Sequence, residues 1–436
     1  MRIHILGIAG TMTAPLACYL KGLGHQITGS DQAKIYPPIS TLLQQNHIPL
    51  ITNLPPKTDL AIIGSSYKSF QNTRRQFQHI KKQNIPYLSA TKYVAQHLIK
   101  KNSILVAGAY GKSTITSLLV WILKNASLNP SYMFGAVAKN SMPSLNITAS
   151  DWSIVEADES INGLDRQAKF LYYPVKYLII TSVSWEHKDS YQTTTANLSA
   201  YKKLIKKIPP DGLLIYNPKD PQFKKIIHLC RGKAIAYKTN AGYQTQLIGS
   251  YNLQNVSAAA TLCQQIKIKP DLIQKSISGF LGLKRRLEIS QNQSDIIFVD
   301  DYAQSTPRIK SALRAVKKTF PGHQLKVFLE VHASFMQNKK SLTGLSLALK
   351  PAQEIVLSRL KYSPSLDKKN RTTVADFKKI LGSKLKYLPL LNQIENHYQK
   401  TLKKDHILVH FSSGGQAGLK TFQNIIKLTN TCRNTS

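Results

Sequence analysis

At 436 residues the chain is too long for one hydrophobic core, and about two to four domains are expected. Its 42% hydrophobic and 8% aromatic content excludes a disordered or fibrous chain. The net charge of +37, from 59 Lys and Arg against 22 Asp and Glu, is spread along the whole chain without a nucleic-acid motif or basic-aromatic platform, so no specific nucleic-acid partner is expected and the charge reads as solvated faces that attract anionic substrates such as nucleotides.

The first segment, residues 1–98, alternates strands with helices. Ile3–Leu6 reads as a strand, Gly7 and Gly10 as a turn, and Met12–Leu23 as a helix leading to a strand that ends near Ser30 and Asp31. Leu60–Gly64 is a short apolar run ended by Gly and Ser, as a buried parallel strand would be. These features describe a small doubly wound unit. The apolar stretch Ile3–Leu20 is broken by its glycines and has no clear cleavage site. No other stretch has the roughly 18 apolar residues of a membrane span, so a cytoplasmic protein without membrane insertion is expected. Cys18, Cys230, Cys263 and Cys432 form no CxxC pair, which fits a reducing compartment.

The second segment, residues 99–281, opens with the strand Ser103–Ala107, a glycine loop and a helix over Thr114–Leu123. Strands follow at Ser153–Val155 and Tyr177–Ile180. The third, residues 282–436, starts at the basic turn Gly282–Arg286 and carries strands at Asp295–Val299, Lys326–Leu329, Glu354–Leu357 and His406–His410, with a helix over Pro307–Lys317. An α/β protein of three domains is expected, each a mostly parallel sheet with flanking helices.

The loop Gly108-Ala109-Tyr110-Gly111-Lys112-Ser113-Thr114 carries the clearest chemistry. Gly108 and Gly111 let the backbone approach a phosphate chain, and the following helix N-terminus adds partial positive charge. Lys112 reaches β- and γ-phosphates, while the Ser113 or Thr114 hydroxyl suits Mg²⁺. Val106 stands where the ordinary phosphate-loop pattern wants glycine, so the match is not to the generic motif. Glu156-Ala157-Asp158-Glu159 follows a strand beside this loop, where carboxylates hold Mg²⁺, and Glu156 is the candidate ligand. His187, in Ser184-Trp185-Glu186-His187-Lys188-Asp189, again follows a buried strand and is a candidate metal or catalytic residue.

These blocks, in this order, resemble the Mur ligases, which join an amino acid or peptide to a UDP-muramyl precursor of peptidoglycan. Gly249-Ser250-Tyr251-Asn252-Leu253-Gln254-Asn255, Lys284-Arg285-Arg286-Leu287-Glu288, Asp300-Asp301-Tyr302-Ala303, and Ser412-Ser413-Gly414-Gly415 extend the resemblance over essentially the whole chain. It implies a Rossmann-like N-terminal domain (1–98) for the UDP-muramyl substrate, a phosphate-loop central domain (99–281) for ATP, and a Rossmann-like C-terminal domain (282–436) for the amine. It implies a ligase in which ATP and Mg²⁺ activate a carboxylate as an acyl phosphate that an amine then attacks. Lys112, His187 and Arg286 would be catalytic. Gly108, Gly111, Lys112, Ser113, Thr114, Asn252, Asn255, Arg286 and Asp301 would bind ATP; Ser113, Glu156 and His187 would hold metal. Gly7, Gly10, Ser30, Asp31 and Ser65 would bind UDP-N-acetylmuramate.

The chain departs from the family at Tyr110, Glu186, Tyr251, Gln304, Ser305 and Ser413. Lys202 lies 15 residues after His187, near the interval of a carbamylated lysine in other members, but its basic amphipathic surroundings read as a surface helix. Of two branches, one adds L-alanine and one a tripeptide, L-alanyl-γ-D-glutamyl-meso-diaminopimelate. Gly7–Leu16, Ile35–Pro38, Phe170–Pro174 and Leu329–Phe335 look more like the tripeptide branch, whereas Ser160 matches the alanine branch. Gly7 and Gly10 with Asp31 also leave a nicotinamide oxidoreductase open, though Ala9 and Met12 stand where its glycines belong. The departures leave an inert binding protein open as well.

Overall fold

The computed structural model describes residues 1–32, 35, 39–185, 190–239, 241–291, 294–303, 305–331, 336–362, 367–412 and 416–431. Three sheets carry the chain. The first is fully parallel, in the order β2 (Gln26–Ser30), β1 (Arg2–Leu6), β3 (Leu60–Ile63), β4 (Tyr87–Ser89). The second comprises β5 (Asn102–Ala107), β6 (Ser131–Met133), β7 (Leu145–Asn146), β8 (Trp152–Glu156), β9 (Tyr177–Ile180), β10 (Leu213–Tyr216) and β11 (Lys233–Ala236), ordered β11-β10-β9-β5-β8-β6-β7. Only its edge strand β7 is antiparallel. The third comprises β12 (Glu288–Gln291), β13 (Ile297–Asp301), β14 (Gln324–Leu329), β15 (Glu354–Leu357), β16 (Leu385–Tyr387) and β17 (His406–Phe411), ordered β12-β13-β17-β14-β15-β16 with β12 antiparallel.

The central strands are apolar throughout because helices cover both faces of a parallel sheet. Ile104, Leu105, Val106 and Ala107 of β5 are all fully buried, as are Leu178 and Ile179 of β9. In the first sheet, Ile5 and Ile62 pack under Ala14, Leu16 and Leu20 of the helix Thr13–Gly22. Chain contacts divide the molecule into two compact units. One holds Met1–Gln246 and Asn252–Gly282, with the first two sheets; the other holds Leu247–Tyr251 and Leu283–Ser436, with the third. No helix among the described residues is long and apolar enough to cross a membrane.

The sequence reading misplaced one strand that matters. Asp295–Val299 was expected, but β13 runs Ile297–Asp301. Asp295 has a φ of 55°, which no strand accommodates, while Asp300 and Asp301 are carried into the sheet as buried carboxylates. They can be buried because basic groups meet them there, as described below. The Gly249–Asn255 motif also proves helical from its second residue, in the helix Ser250–Gln265.

Candidate functional site

β5 ends directly in the phosphate loop. Gly108 (φ 120°) and Gly111 (φ 81°) take left-handed conformations, and neither has room for a side chain. A methyl at position 108 would overlap Thr181 Oγ1, and one at 111 would overlap Asn255 Oδ1. Thr181 donates to the Tyr110 carbonyl at 2.6 Å, tying the loop to the end of β9. The helix Lys112–Asn125 starts immediately afterwards, so its first-turn N–H groups stand at the loop.

Lys112 Nζ donates to the Gly108 carbonyl at 2.7 Å and pairs with Glu159 Oε2 at 2.9 Å. The side chains are 12% and 0% exposed. Burial alone would lower the ammonium's pKa, but Glu159, Asp158 and Glu156 together raise it above the usual lysine range. Ser113 Oγ donates at 2.8 Å to Glu156 Oε2, which also accepts the Gly135 N–H at 2.8 Å. Thr114 follows half-buried on the helix. Asp158 pairs with Lys169 at 2.9 Å; although burial pushes its pKa up, Lys169 and Lys112 hold it well below the carboxylate range. Lys202 is exposed on the helix Thr194–Lys206, whereas Tyr201 beside it is fully buried, so the inward face of that helix carries a phenol.

The N-terminal glycine turn stands beside this cluster. Gly7 has φ 72° and donates to the Ser30 carbonyl at 2.8 Å, while Asp31 Oδ2 accepts the Ala9 N–H at 2.8 Å. Ser30 is buried, its hydroxyl donating to Gln76 Oε1 at 3.1 Å beside His4. Gly10 lies over the Thr13 hydroxyl, to which its N–H donates at 3.1 Å. Ser65 is exposed, and its carbonyl faces Gly163. Thr11 comes within 3.6 Å of where a Gly135 methyl would sit, and Gly135 is the residue bonded to Glu156. The turn residue Thr11 thus neighbours Gly135, and hydrogen bonds continue from Gly135 through Glu156 to Ser113.

Asn252 and Asn255, three apart on one helix face, are buried and joined by an amide hydrogen bond of 3.2 Å. Asn255 closes over Gly111, and Asn252 stands behind it through that hydrogen bond.

In the second unit, Asp301 Oδ2 accepts the Leu287 N–H at 2.7 Å. Burial pushes its carboxyl up to about 6, with Arg286 pulling the other way. The Arg285 and Arg286 guanidinium carbons lie 5.3 and 5.4 Å from the centre of the Tyr302 ring. Tyr251 lies near Asp301 and Arg286, its phenol raised by burial and by Asp301 and lowered by Arg286.

Several expected residues lie outside the described ones: His187 with its neighbours 186–189, Gln304, 332–335, Ser413 to Gly415, and Tyr36 to Pro38. Among the described residues no three His, Cys, Asp or Glu side chains form a metal cluster. The Ser113 hydroxyl and Glu156 carboxylate are nonetheless hard oxygen donors of the kind Mg²⁺ takes while keeping several waters. Sequence reasoning missed Glu159 as the partner of Lys112, Thr181 as the brace of Tyr110, and Lys169 as the counter-ion of Asp158. These contacts span 47, 71 and 11 residues, so only the first motif's crowding of acids hinted at them.

Two family models match: the Mur ligase catalytic domain over residues 2–102 and the Mur ligase middle domain over residues 106–245. A UDP-N-acetylmuramate–L-alanyl-γ-D-glutamyl-meso-2,6-diaminoheptandioate ligase of Escherichia coli is 27% identical, covering 96% of each chain. A UDP-N-acetylmuramate–L-alanine ligase of Desulfitobacterium hafniense is 26% identical, covering 95% of this chain and 97% of that one. The fold matches a murein peptide ligase from Psychrobacter arcticus at a TM-score of 0.70, with 21% identity and 99% of both chains covered. It matches a UDP-N-acetylmuramate–alanine ligase from Thermotoga maritima at 0.79, with 19% identity, over 99% of this chain and 100% of that one.

Proposed function

The chain belongs to the Mur ligase family, and from that premise we propose that it joins the carboxylate of UDP-N-acetylmuramate to the amine of the tripeptide L-alanyl-γ-D-glutamyl-meso-diaminopimelate. It is an ATP-dependent, amide-forming enzyme of peptidoglycan metabolism, which displaces the oxidoreductase reading of the Gly7–Gly10 turn. We place it in the cytoplasm.

The observation that carries the proposal is the contact path from Thr11 through Gly135 and Glu156 to Ser113. That neighbourhood supports a reading in which a muramyl carboxylate bound at the N-terminal turn meets the γ-phosphate at the phosphate loop. A carboxylate oxygen attacks the γ-phosphorus, the bond to the β-phosphate oxygen breaks, and ADP leaves. The amine then attacks the acyl carbon, loses a proton, and expels phosphate. Such transfer depends on positioning and charge neutralisation. Lys112, kept cationic by three carboxylates, supplies the positive charge, and Arg286 and His187 are proposed to add to it. Mg²⁺, held by Ser113, Glu156 and His187, would neutralise phosphate oxygens. Gly7, Gly10, Ser30, Asp31 and Ser65 are proposed for the uridine nucleotide, and Asn252, Asn255 and Asp301 for ATP.

The tripeptide is preferred because its three carboxylates need cations. β15 runs into Arg359 and Lys361, both exposed at the carboxyl end of a parallel sheet, where open α/β sheets receive ligands. L-alanine as the amine is the second reading, favoured by Ser160 and by the similarity to alanine ligases. One experiment separates them. The protein is given ATP, Mg²⁺ and UDP-N-acetylmuramate with L-alanine and tripeptide in competition, and the products are weighed by mass spectrometry. The tripeptide adduct is expected; the alanyl adduct would move the chain to the other branch, and no adduct would leave an inert paralogue.

A further inference from the structure

Behind Asp300 the second unit buries a further charged group. His410 of β17 is fully buried, with Nδ1 2.9 Å from Asp300 Oδ1 and Nε2 3.1 Å from Glu330 Oε2. Its ring is stacked between Phe328 and Phe422, with centroids 4.7 and 4.9 Å away, so it has no room to turn from either acid. A neutral imidazole has one N–H and one lone pair, and between two carboxylates it would set that lone pair against an oxygen. An imidazolium donates to both. Burial disfavours that cation, but Asp300 and Glu330 outweigh it and raise the ring's pKa. Gly418, in the first turn of the helix Gln416–Thr431, leaves the space that the Glu330 carboxylate fills.

Asp300 carries the connection onward. Its second oxygen accepts from Arg285 Nε at 3.1 Å, and Arg285 Nη2 also donates to the Ser412 carbonyl at 3.0 Å. Arg285 and Leu287 have φ of 58° and 46°, an uncommon conformation for such side chains, and Arg286 sits between them. The turn persists because it is held several times over. The Arg285 N–H donates to Glu288 at 2.9 Å, the Leu287 N–H to Asp301 at 2.7 Å, and the Tyr302 N–H to the Arg285 carbonyl at 2.8 Å.

We propose that His410, as an imidazolium shared by Asp300 and Glu330, is a positioning residue that holds the Arg285–Leu287 turn, and with it Arg286, through Asp300 and Arg285. The functional half of this inference rests on the assignment of Arg286 and Asp301 to the nucleotide. With the cation gone, Asp300 loses the partner that fixes its first oxygen, and the anchor behind Arg285 is freed to shift.

The test uses the full-length protein labelled with ¹⁵N at histidine, with His410→Gln to assign the resonance. Long-range ¹H–¹⁵N spectra are expected to show one histidine protonated at both nitrogens at pH 7, where a free imidazole is mostly neutral, and missing from the variant. A neutral tautomer for His410 at pH 7 overturns the proposal. In kinetics, a folded His410→Gln is expected to raise the KM for ATP and lower kcat by about tenfold or more while leaving the KM for UDP-N-acetylmuramate within about twofold, since misplacements of about 1 Å cost up to about 100-fold. Unchanged kinetics, or an equal change for both substrates, would sink it. Should His410→Gln not fold, Glu330→Gln supplies the same comparison with a smaller perturbation. ATP affinity is measured separately by calorimetry. A wild type that binds ATP but ligates nothing would reject the substrate assignment above while leaving positioning to be judged from the variant's loss of affinity.

Discussion

Lys112 and Glu159 pair largely out of water, with side chains 12% and 0% exposed. Removing one member of a buried pair leaves an uncompensated ion, which costs about 3 kcal/mol or more. Lys112→Met is therefore expected to lose both phosphate release and stability, and Lys112→Met/Glu159→Gln to regain most of the stability with no activity. Urea unfolding alongside a phosphate assay checks this; a double variant no more stable than the single one would show that the pair is not coupled. Asp301 behaves oppositely. Its folded pKa of about 6 lies above the unfolded value. Its contribution to stability is thus complete below about pH 4 and is lost as the pH rises through 6. Asp301→Asn should be more stable than the wild type by about 2–3 kcal/mol at pH 8, with the gain shrinking at pH 5, and it should bind ATP more weakly. Equal unfolding midpoints at pH 8 would refute the stability half. Lys112, Ser113 and Glu156 stood out in the sequence because they lie in contiguous motifs, and the structure sets Ser113 against Glu156. The pairing of Lys112 with Glu159, and of His410 with Asp300 across 110 residues, was not legible, because no local pattern encodes contacts made through space.

Glycines show how elements limit substitution. Replacing Gly by Ala inside a helix ordinarily stabilises by about 1 kcal/mol. Gly418→Ala is expected to do the reverse, because the added methyl would occupy the place of the Glu330 carboxylate. A lowered Tm together with a weakened ATP affinity is expected, and a raised Tm would mean that Glu330 moves aside freely. Gly111→Ala meets both a left-handed backbone and Asn255, so loss of ATP binding by calorimetry should accompany a lower Tm. At this scale most strands could be read from the chain, since burial on both faces writes Leu60–Ile63 and Tyr177–Ile180 as unbroken apolar runs. β13 was misread because its last two residues are acids, which a hydrophobic pattern excludes; only the buried His410 and the Arg285 turn explain their place in the sheet.

For the molecule as a whole, the net charge of +37 acts on encounter. All three proposed substrates are anionic, and screening lengths fall from about 10 Å at 0.1 M salt to about 3 Å at 1 M. The kcat/KM values for ATP and UDP-N-acetylmuramate are expected to fall steeply between 0.05 and about 0.5 M KCl with kcat nearly constant, whereas a salt-independent kcat/KM would assign the charge no part in capture. The division of the chain has a consequence for biosynthesis. Leu247–Tyr251 belongs to the second unit, although the first resumes at Asn252 and closes only at Gly282. Ile248 and Tyr251 pack against a core whose other members begin at Leu287. A ribosome therefore releases these two apolar side chains well before the strands that shelter them. The first unit can finish while still carrying a sticky segment, and the interval until β13, β14 and β17 emerge is when a nascent chain most needs a chaperone's cover.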